Sequence, residues 1–140
     1  MLALHEWGDP TDPPLLLVHG LTESATAWPD AVARWSSQYH VLAIDQRGHG
    51  ASPRWDDEAL ARAPQTMHED LTRTLARLPE PPVVVAHSLG GLISLRVSVA
   101  RPELVRALVL EDVARPTGHW APAPWFVEHQ EHFLDAFADG

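Results

Sequence analysis

The chain has 140 residues, 45% of them hydrophobic, with a formal net charge of −9 at pH 7. That length holds one domain with a real core but not two ordinary ones, and the hydrophobic share argues against wholesale disorder. An acidic balance excludes a phosphate-binding face for nucleic acid and gives no attraction to anionic membranes.

All ten basic residues are arginine. Cysteine is absent, so disulfides, thiolate nucleophiles and cysteine metal sites are ruled out. The start, MLALHEWGDP, has neither the charged n-region nor the apolar h-region of a signal peptide. No run approaches the roughly 20 apolar residues of a membrane span. A cytoplasmic protein is the expectation.

Leu2 to Trp7 reads as a short strand leading into the turn-rich GDPTDPP. Leu15 to His19 is a brief apolar run ending at Gly20, as suits a parallel strand buried on both faces. Ala27 to Ser37 sets Trp28, Val32 and Trp35 on one helical face. Tyr39 to Ile44 is a second apolar run, closed by the loop DQRGHGASP.

Thr66 to Leu78 predicts a helix, with Thr66 as cap and Glu69 completing a capping box. Met67, Leu71, Leu75 and Leu78 form its apolar stripe. After PEPP, Val83 to Val85 predicts a third buried strand. Leu89 to Ala100 is apolar nearly all round and predicts a buried helix opened by Gly90 and Gly91. Val105 to Leu110 predicts a fourth buried strand.

Strands alternating with helices imply an α/β fold: a mostly parallel sheet with flanking helices and right-handed crossovers. Sites in such sheets lie beyond the carboxyl ends of the strands. His19-Gly20, Asp45, Ser88 and Glu111-Asp112 all fall there. Residues 1 to 112 therefore read as the core. From residue 113 the alternation stops: ARPTGHWAPAP is irregular, and Pro124 to Ala138 predicts an amphipathic helix carrying Phe126, Phe133 and Phe137. This segment is expected to begin a lid.

Ser88 stands in AHSLGG, between the third strand and the buried helix. A serine nucleophile has to project from a tight turn, and small residues on both sides permit that turn. Ala86 and Gly90 occupy those places, while free amides at the start of the following helix face developing negative charge. Ser88 as an ordinary helix cap is the plainer alternative.

Here the sequence resembles the α/β-hydrolase family, whose strand–turn–helix elbow reads G-x-S-x-G. This chain reads Ala-His-Ser-Leu-Gly, with alanine in place of the first glycine. LLLVHGLTES looks like that family's strand and oxyanion loop, DQRGHGAS like the loop after the next strand, and LVLEDV like the strand after the nucleophile helix. The likeness spans about residues 2 to 112 and is to the N-terminal part of the fold only.

The resemblance implies a serine-nucleophile, esterase-like hydrolase acting on a small-molecule substrate without a cofactor or metal. It implies an oxyanion hole made of the backbone N–H groups of Leu21 and Leu89. His19 is expected to be a structural hydrogen-bonding residue. Asp45, Arg47 and His49 are expected to brace the rim loop by a charge-assisted pair and a turn. His87, pointing to the opposite strand face from its neighbour, is a poor base for Ser88.

In that family the acid and then the histidine follow the serine. Glu111 and Asp112 are the acid candidates within this chain. His119, His129 and His132 come in the right order but sit in the expected lid, a poor place to hold a base. His129 and His132 with Glu128 read better as a solvent-facing stripe than as a metal site. The acid usually follows a later strand in that family, so the chain is expected to be a fragment that lacks the catalytic histidine and the acid, is inactive alone, and either self-associates or lacks a C-terminal half. The alternative is a non-catalytic ligand- or partner-binding remnant of the fold.

Overall fold

A computed structural model describes residues 1–113. Five strands form one sheet in the order β1-β3-β2-β4-β5. They are β1 (Leu4–Trp7), β2 (Pro14–Val18), β3 (His40–Ile44), β4 (Val83–His87) and β5 (Ala107–Glu111). Only β1 runs antiparallel, against β3; the other pairings are parallel. The expected mostly parallel sheet with flanking helices is what forms.

The helices are α1 (Pro29–Trp35), α2 (Asp57–Ala61), α3 (Ala63–Leu75) and α4 (Ser88–Ala100), with short 3-10 turns at Ala25–Ala27 and Pro102–Leu104. None among the described residues is long and apolar enough to cross a membrane.

Every residue of β2 is buried, which explains its unbroken apolar run. Alternate residues feed two cores. Leu16, Val18, Leu42, Ile44, Val84 and Ala86 face α3 and α4, meeting Leu71, Leu75, Ile93 and Val97. Leu15, Leu17, Val41, Ala43 and Val85 face the α1 side, meeting Trp28, Val32 and Trp35. Each fully buried aliphatic side chain adds roughly 1.5–3 kcal/mol of transfer free energy. The register Leu16↔Leu42 and Leu16↔Val84 keeps these positions in line across three strands.

Three expectations need correction. The helix expected from Thr66 begins at Ala63, so Thr66 is a buried interior residue and makes no capping box. Its hydroxyl donates instead to the Ala59 carbonyl at 3.1 Å. Pro64 falls in the first turn, where its missing N–H costs no hydrogen bond, and this sets the earlier start. A short helix, α2, precedes it, capped by Asp56, whose carboxylate accepts the Ala59 amide at 2.7 Å.

Secondly, β5 is not a buried strand: Val109 is 51% and Leu110 is 40% exposed. It pairs with β4 on one side only among the described residues, where Val109 stands in register with Val85. Thirdly, α4 is buried along Gly90, Gly91, Ile93, Ser94 and Val97 rather than all round, and Val99 is 76% exposed. The lid expected over the C-terminal segment falls on residues 114–140, outside the described residues.

Candidate active site

The C-terminal rim gathers the segments that the sequence singled out. β4 ends at His87 and α4 starts at Ser88, whose φ is +48°. A non-glycine residue in the left-handed region carries on the order of 1–3 kcal/mol of backbone strain, which the surrounding packing has to hold. That packing is visible on both sides of the serine. Ala86 is fully buried in the sheet. A Cβ placed on Gly90 would fall 2.6 Å from the Val18 carbonyl oxygen, so α4 can start this close to β2 only with glycine there. No side chain caps the start of α4, which leaves its first amides, Leu89 N–H included, open towards the rim.

The loop after β2 is fixed by a buried histidine. The Gln46 backbone N–H donates to His19 Nε2 at 2.9 Å, which makes Nε2 the acceptor and places the proton on Nδ1. His19 Nδ1–H then donates to the Gly20 carbonyl at 2.6 Å. Burial pushes the His19 pKa down and outweighs the Gly20 hydrogen bond that favours its cation, so the ring is neutral. No peptide bond among the described residues is cis. In a trans peptide the N–H of Leu21 points opposite to the Gly20 C=O, so His19 aims that amide away from itself. On the other side of Leu21, His49 Nε2–H donates to the Leu21 carbonyl at 2.6 Å. His19 thus has the structural hydrogen-bonding place expected of it.

Asp45 is a buried brace. One carboxylate oxygen accepts the Ala25 amide at 2.8 Å; the other accepts the Ala51 amide at 2.9 Å and lies 3.0 Å from His5 Nε2. Burial alone would raise its pKa, but those two amides and His5 together hold it below the usual carboxylate value. The charge-assisted pair in this loop belongs to Arg47 and reaches outside the loop. Arg47 Nε and Nη2 donate to the two oxygens of Asp70 on α3 at 2.8 and 3.2 Å. Arg73 Nη2 also donates to Asp70, at 2.7 Å. Asp70, two turns into α3, was not singled out from the sequence. A lone aspartate on the helix stripe gives no sign of a partner 23 residues earlier.

Glu23 was also missed. Its Oε2 accepts the Gly20 amide at 2.7 Å and lies 3.0 Å from His87 Nδ1. Burial tends to raise the Glu23 pKa, yet the Gly20 amide and His87 bring it below its usual value. A signal existed: a glutamate three residues after an amide can reach back to it, as in a capping box. His87 therefore turns towards Glu23 on the α1 face of the sheet, where both line a cavity of about 510 Å³ with Trp28, Arg34, Val85 and Glu111. Ser88 does not line it.

Glu111 closes β5 in register with His87, and Asp112 follows with a φ of +48°. Both are exposed, and both stand on the same rim as Ser88. Five of the six described histidines have partners other than Ser88: Asp45 for His5, Gly20 and Gln46 for His19, Glu6 for His40, Leu21 and Arg47 for His49, and Glu23 for His87. The sixth, His68, sits within α3. His119, His129 and His132 lie outside the described residues. Among the described residues no three His, Asp or Glu side chains converge as metal ligands.

Comparison with known proteins agrees with this architecture. The alpha/beta hydrolase fold family profile matches residues 13–134. The chain is 37% identical over 106 residues to an (E)-2-((N-methylformamido)methylene)succinate hydrolase of Acinetobacter baylyi, covering 74% of this chain and 39% of that protein. It is 34% identical over 117 residues to Lipase LipV of Mycobacterium tuberculosis, covering 81% of this chain and 42% of that one. In structure it resembles a thioesterase domain from the curacin biosynthetic pathway, with a TM-score of 0.76 and 26% identity, covering 99% of this chain and 50% of that one. The chain spans about two fifths of the length of these two curated relatives and forms part of the fold. With the sheet order, the elbow and the profile in agreement, the chain belongs to the alpha/beta hydrolase fold family.

Proposed function

We propose that Ser88 is the nucleophile of a hydrolase that acts on an ester or related carbonyl substrate. The observation that carries this reading is the strained bend at Ser88, φ +48°, held where β4 passes into α4 by the contact of Gly90 with Val18. A serine used only to cap a helix takes extended backbone angles and needs no such bend.

The chemistry follows from the placement. The Ser88 hydroxyl attacks the carbonyl carbon while a histidine base takes its proton. The negative charge that forms on the carbonyl oxygen is met by the amides of Leu21 and Leu89. Collapse expels the alcohol or amine, which takes the proton back from the base. Water then attacks the acyl-serine and releases the acid. The base would come from outside residues 1–113, since the partnered histidines are committed elsewhere. The acid, like the base, is placed outside residues 1–113 in this reading, with Glu111 and Asp112 as the candidates within them. A succinate-derivative hydrolase, a lipase and a thioesterase domain among the similar proteins support an acyl or carbonyl substrate. Cytoplasmic placement and an inactive chain in the absence of that base complete the reading. The exposure of Val109 and Leu110 supports self-association or a covering segment on the open side of β5.

A second reading is a non-catalytic remnant that keeps the fold and binds a ligand or partner. It is favoured by one observation, the engagement of five described histidines with other groups. A fluorophosphonate probe separates the two. In a polypeptide that completes the fold, the enzyme reading expects a covalent adduct on the Ser88 peptide and none in Ser88→Ala. The remnant reading expects no adduct at either.

A further inference from the structure

The oxyanion loop and the nucleophile elbow come from separate parts of the chain, yet both donating amides have to face one substrate oxygen. A displacement of either by about 1 Å weakens a catalytic hydrogen bond severely. The rim contains a connection between them. Glu23 Oε2 is bonded at once to the Gly20 amide, at 2.7 Å, and to His87 Nδ1, at 3.0 Å. Gly20 immediately precedes Leu21, and His87 immediately precedes Ser88 and is two residues before Leu89.

The packing around this bridge is selective. A Cβ on Gly20 would fall 2.8 Å from His87 Nδ1 and 3.1 Å from Glu23 Oε2. Glycine at position 20 therefore leaves room for the imidazole to reach the carboxylate beneath the loop. Both interactions involve an ionised acceptor, so each is stronger than a neutral hydrogen bond. The Gly20 amide is consumed by Glu23 and is not available to a substrate, which leaves Leu21 N–H as the donor of this loop.

We propose that Glu23 is a positioning residue that ties the oxyanion loop to the nucleophile elbow, so that the Leu21 and Leu89 amides keep one fixed separation. The catalytic part of this inference rests on the hydrolase reading above; the bridge itself does not. His19 orients the Gly20–Leu21 peptide from the buried side, and Glu23 fixes its distance from Ser88 on the α1 side. Without the carboxylate, Ser88 keeps its bend, since Gly90 and Ala86 hold that, but the loop bearing Leu21 is released.

The test uses the full chain and, for turnover, the polypeptide that completes the fold. Amide hydrogen exchange in Glu23→Ala is expected to rise about tenfold at Gly20, as loss of one charge-assisted hydrogen bond implies, with no change across Leu89–Ile93. Turnover of a simple aryl ester is expected to show kcat down by about 10²-fold at unchanged KM, the signature of a lost oxyanion donor. Glu23→Gln retains a carbonyl acceptor of the same shape and is expected to restore exchange protection and most of kcat. Unchanged exchange at Gly20 in Glu23→Ala overturns the bridge. A fall in KM-dependent binding alone, with kcat intact, overturns the positioning role. If the unsubstituted polypeptide turns over no ester, the hydrolase reading and the catalytic role both fall, while the exchange data still decide the bridge.

Discussion

Gly90 and Val18 stand closer than a side chain at position 90 would permit, because a Cβ there would fall 2.6 Å from the Val18 carbonyl oxygen. The contact joins the first turn of α4 to the end of β2 and so sets how sharply the chain bends at Ser88. Gly90→Ala tests it. An alanine normally stabilises a helix relative to glycine by roughly 0.5–1 kcal/mol. Here the methyl group meets backbone that cannot step aside, and a loss of about 1–3 kcal/mol is expected from overpacking. Gly91→Ala, which meets the movable Val113 side chain, is the milder change. Urea denaturation of both variants checks the ranking; a stabilised Gly90→Ala would mean that the close approach is not there.

The pH dependence of stability has two expected stages. Burial lowers the His19 pKa from its usual 6.5, so the unfolded chain binds more protons than the folded one below that pH. The stability His19 contributes is complete above about 6.5 and declines as pH falls towards its lower folded value, with a slope of at most about 1.4 kcal/mol per pH unit. Asp45 and Asp70 are likewise depressed from 3.8, so their share is complete above that value and is lost at still lower pH. His19→Asn is expected to flatten the upper stage, measured as the unfolding midpoint in urea between roughly pH 7 and 5, and to leave the lower stage in place. An unchanged slope in that variant would show that His19 is not the titrating group.

The Arg47–Asp70 pair joins the loop after β3 to α3 through two hydrogen bonds, with Asp70 buried. Removing Asp70 leaves the Arg47 cation without its carboxylate, whereas removing Arg47 leaves Asp70 with Arg73 alone. Asp70→Asn is expected to lower stability by about 3 kcal/mol, as for other broken buried pairs. Arg47→Lys is expected to lose part of this, because an ammonium group cannot make the two-pronged contact. A double-mutant cycle with Arg47→Met and Asp70→Asn is expected to give a coupling well above that of an exposed ion pair; additive effects would place the two side chains apart.

Much of this arrangement was legible in the sequence for physical reasons that can be named. The unbroken apolar runs of β2 and β4 reported strands buried on both faces, and their polar ends reported the rim. Ala86, Ser88 and Gly90 reported the bend, because small neighbours are what a tight strand–helix turn requires. Local signals misled where a longer-range contact decided the outcome. Thr66 and Glu69 have the spacing of a capping box, yet Pro64 permits an earlier start and Thr66 turns its hydroxyl to Ala59. β5 has the composition of a buried strand, but burial depends on what lies beside it, which composition does not contain. Glu23 had a local signal in its reach back to Gly20, but its contact with His87 and that of Asp70 with Arg47 span 64 and 23 residues. Chain distance carries no record of such a pairing.

Ser88 and the amides of Leu21 and Leu89 are proposed to act as one catalytic unit. The most direct measurement is a crystal structure of the Ser88 phosphonate adduct in the polypeptide that completes the fold. A phosphonyl oxygen is expected at roughly 2.7–3.1 Å from both the Leu21 and the Leu89 nitrogen. An adduct whose oxygens face solvent, with the Leu21 amide turned away, would contradict it.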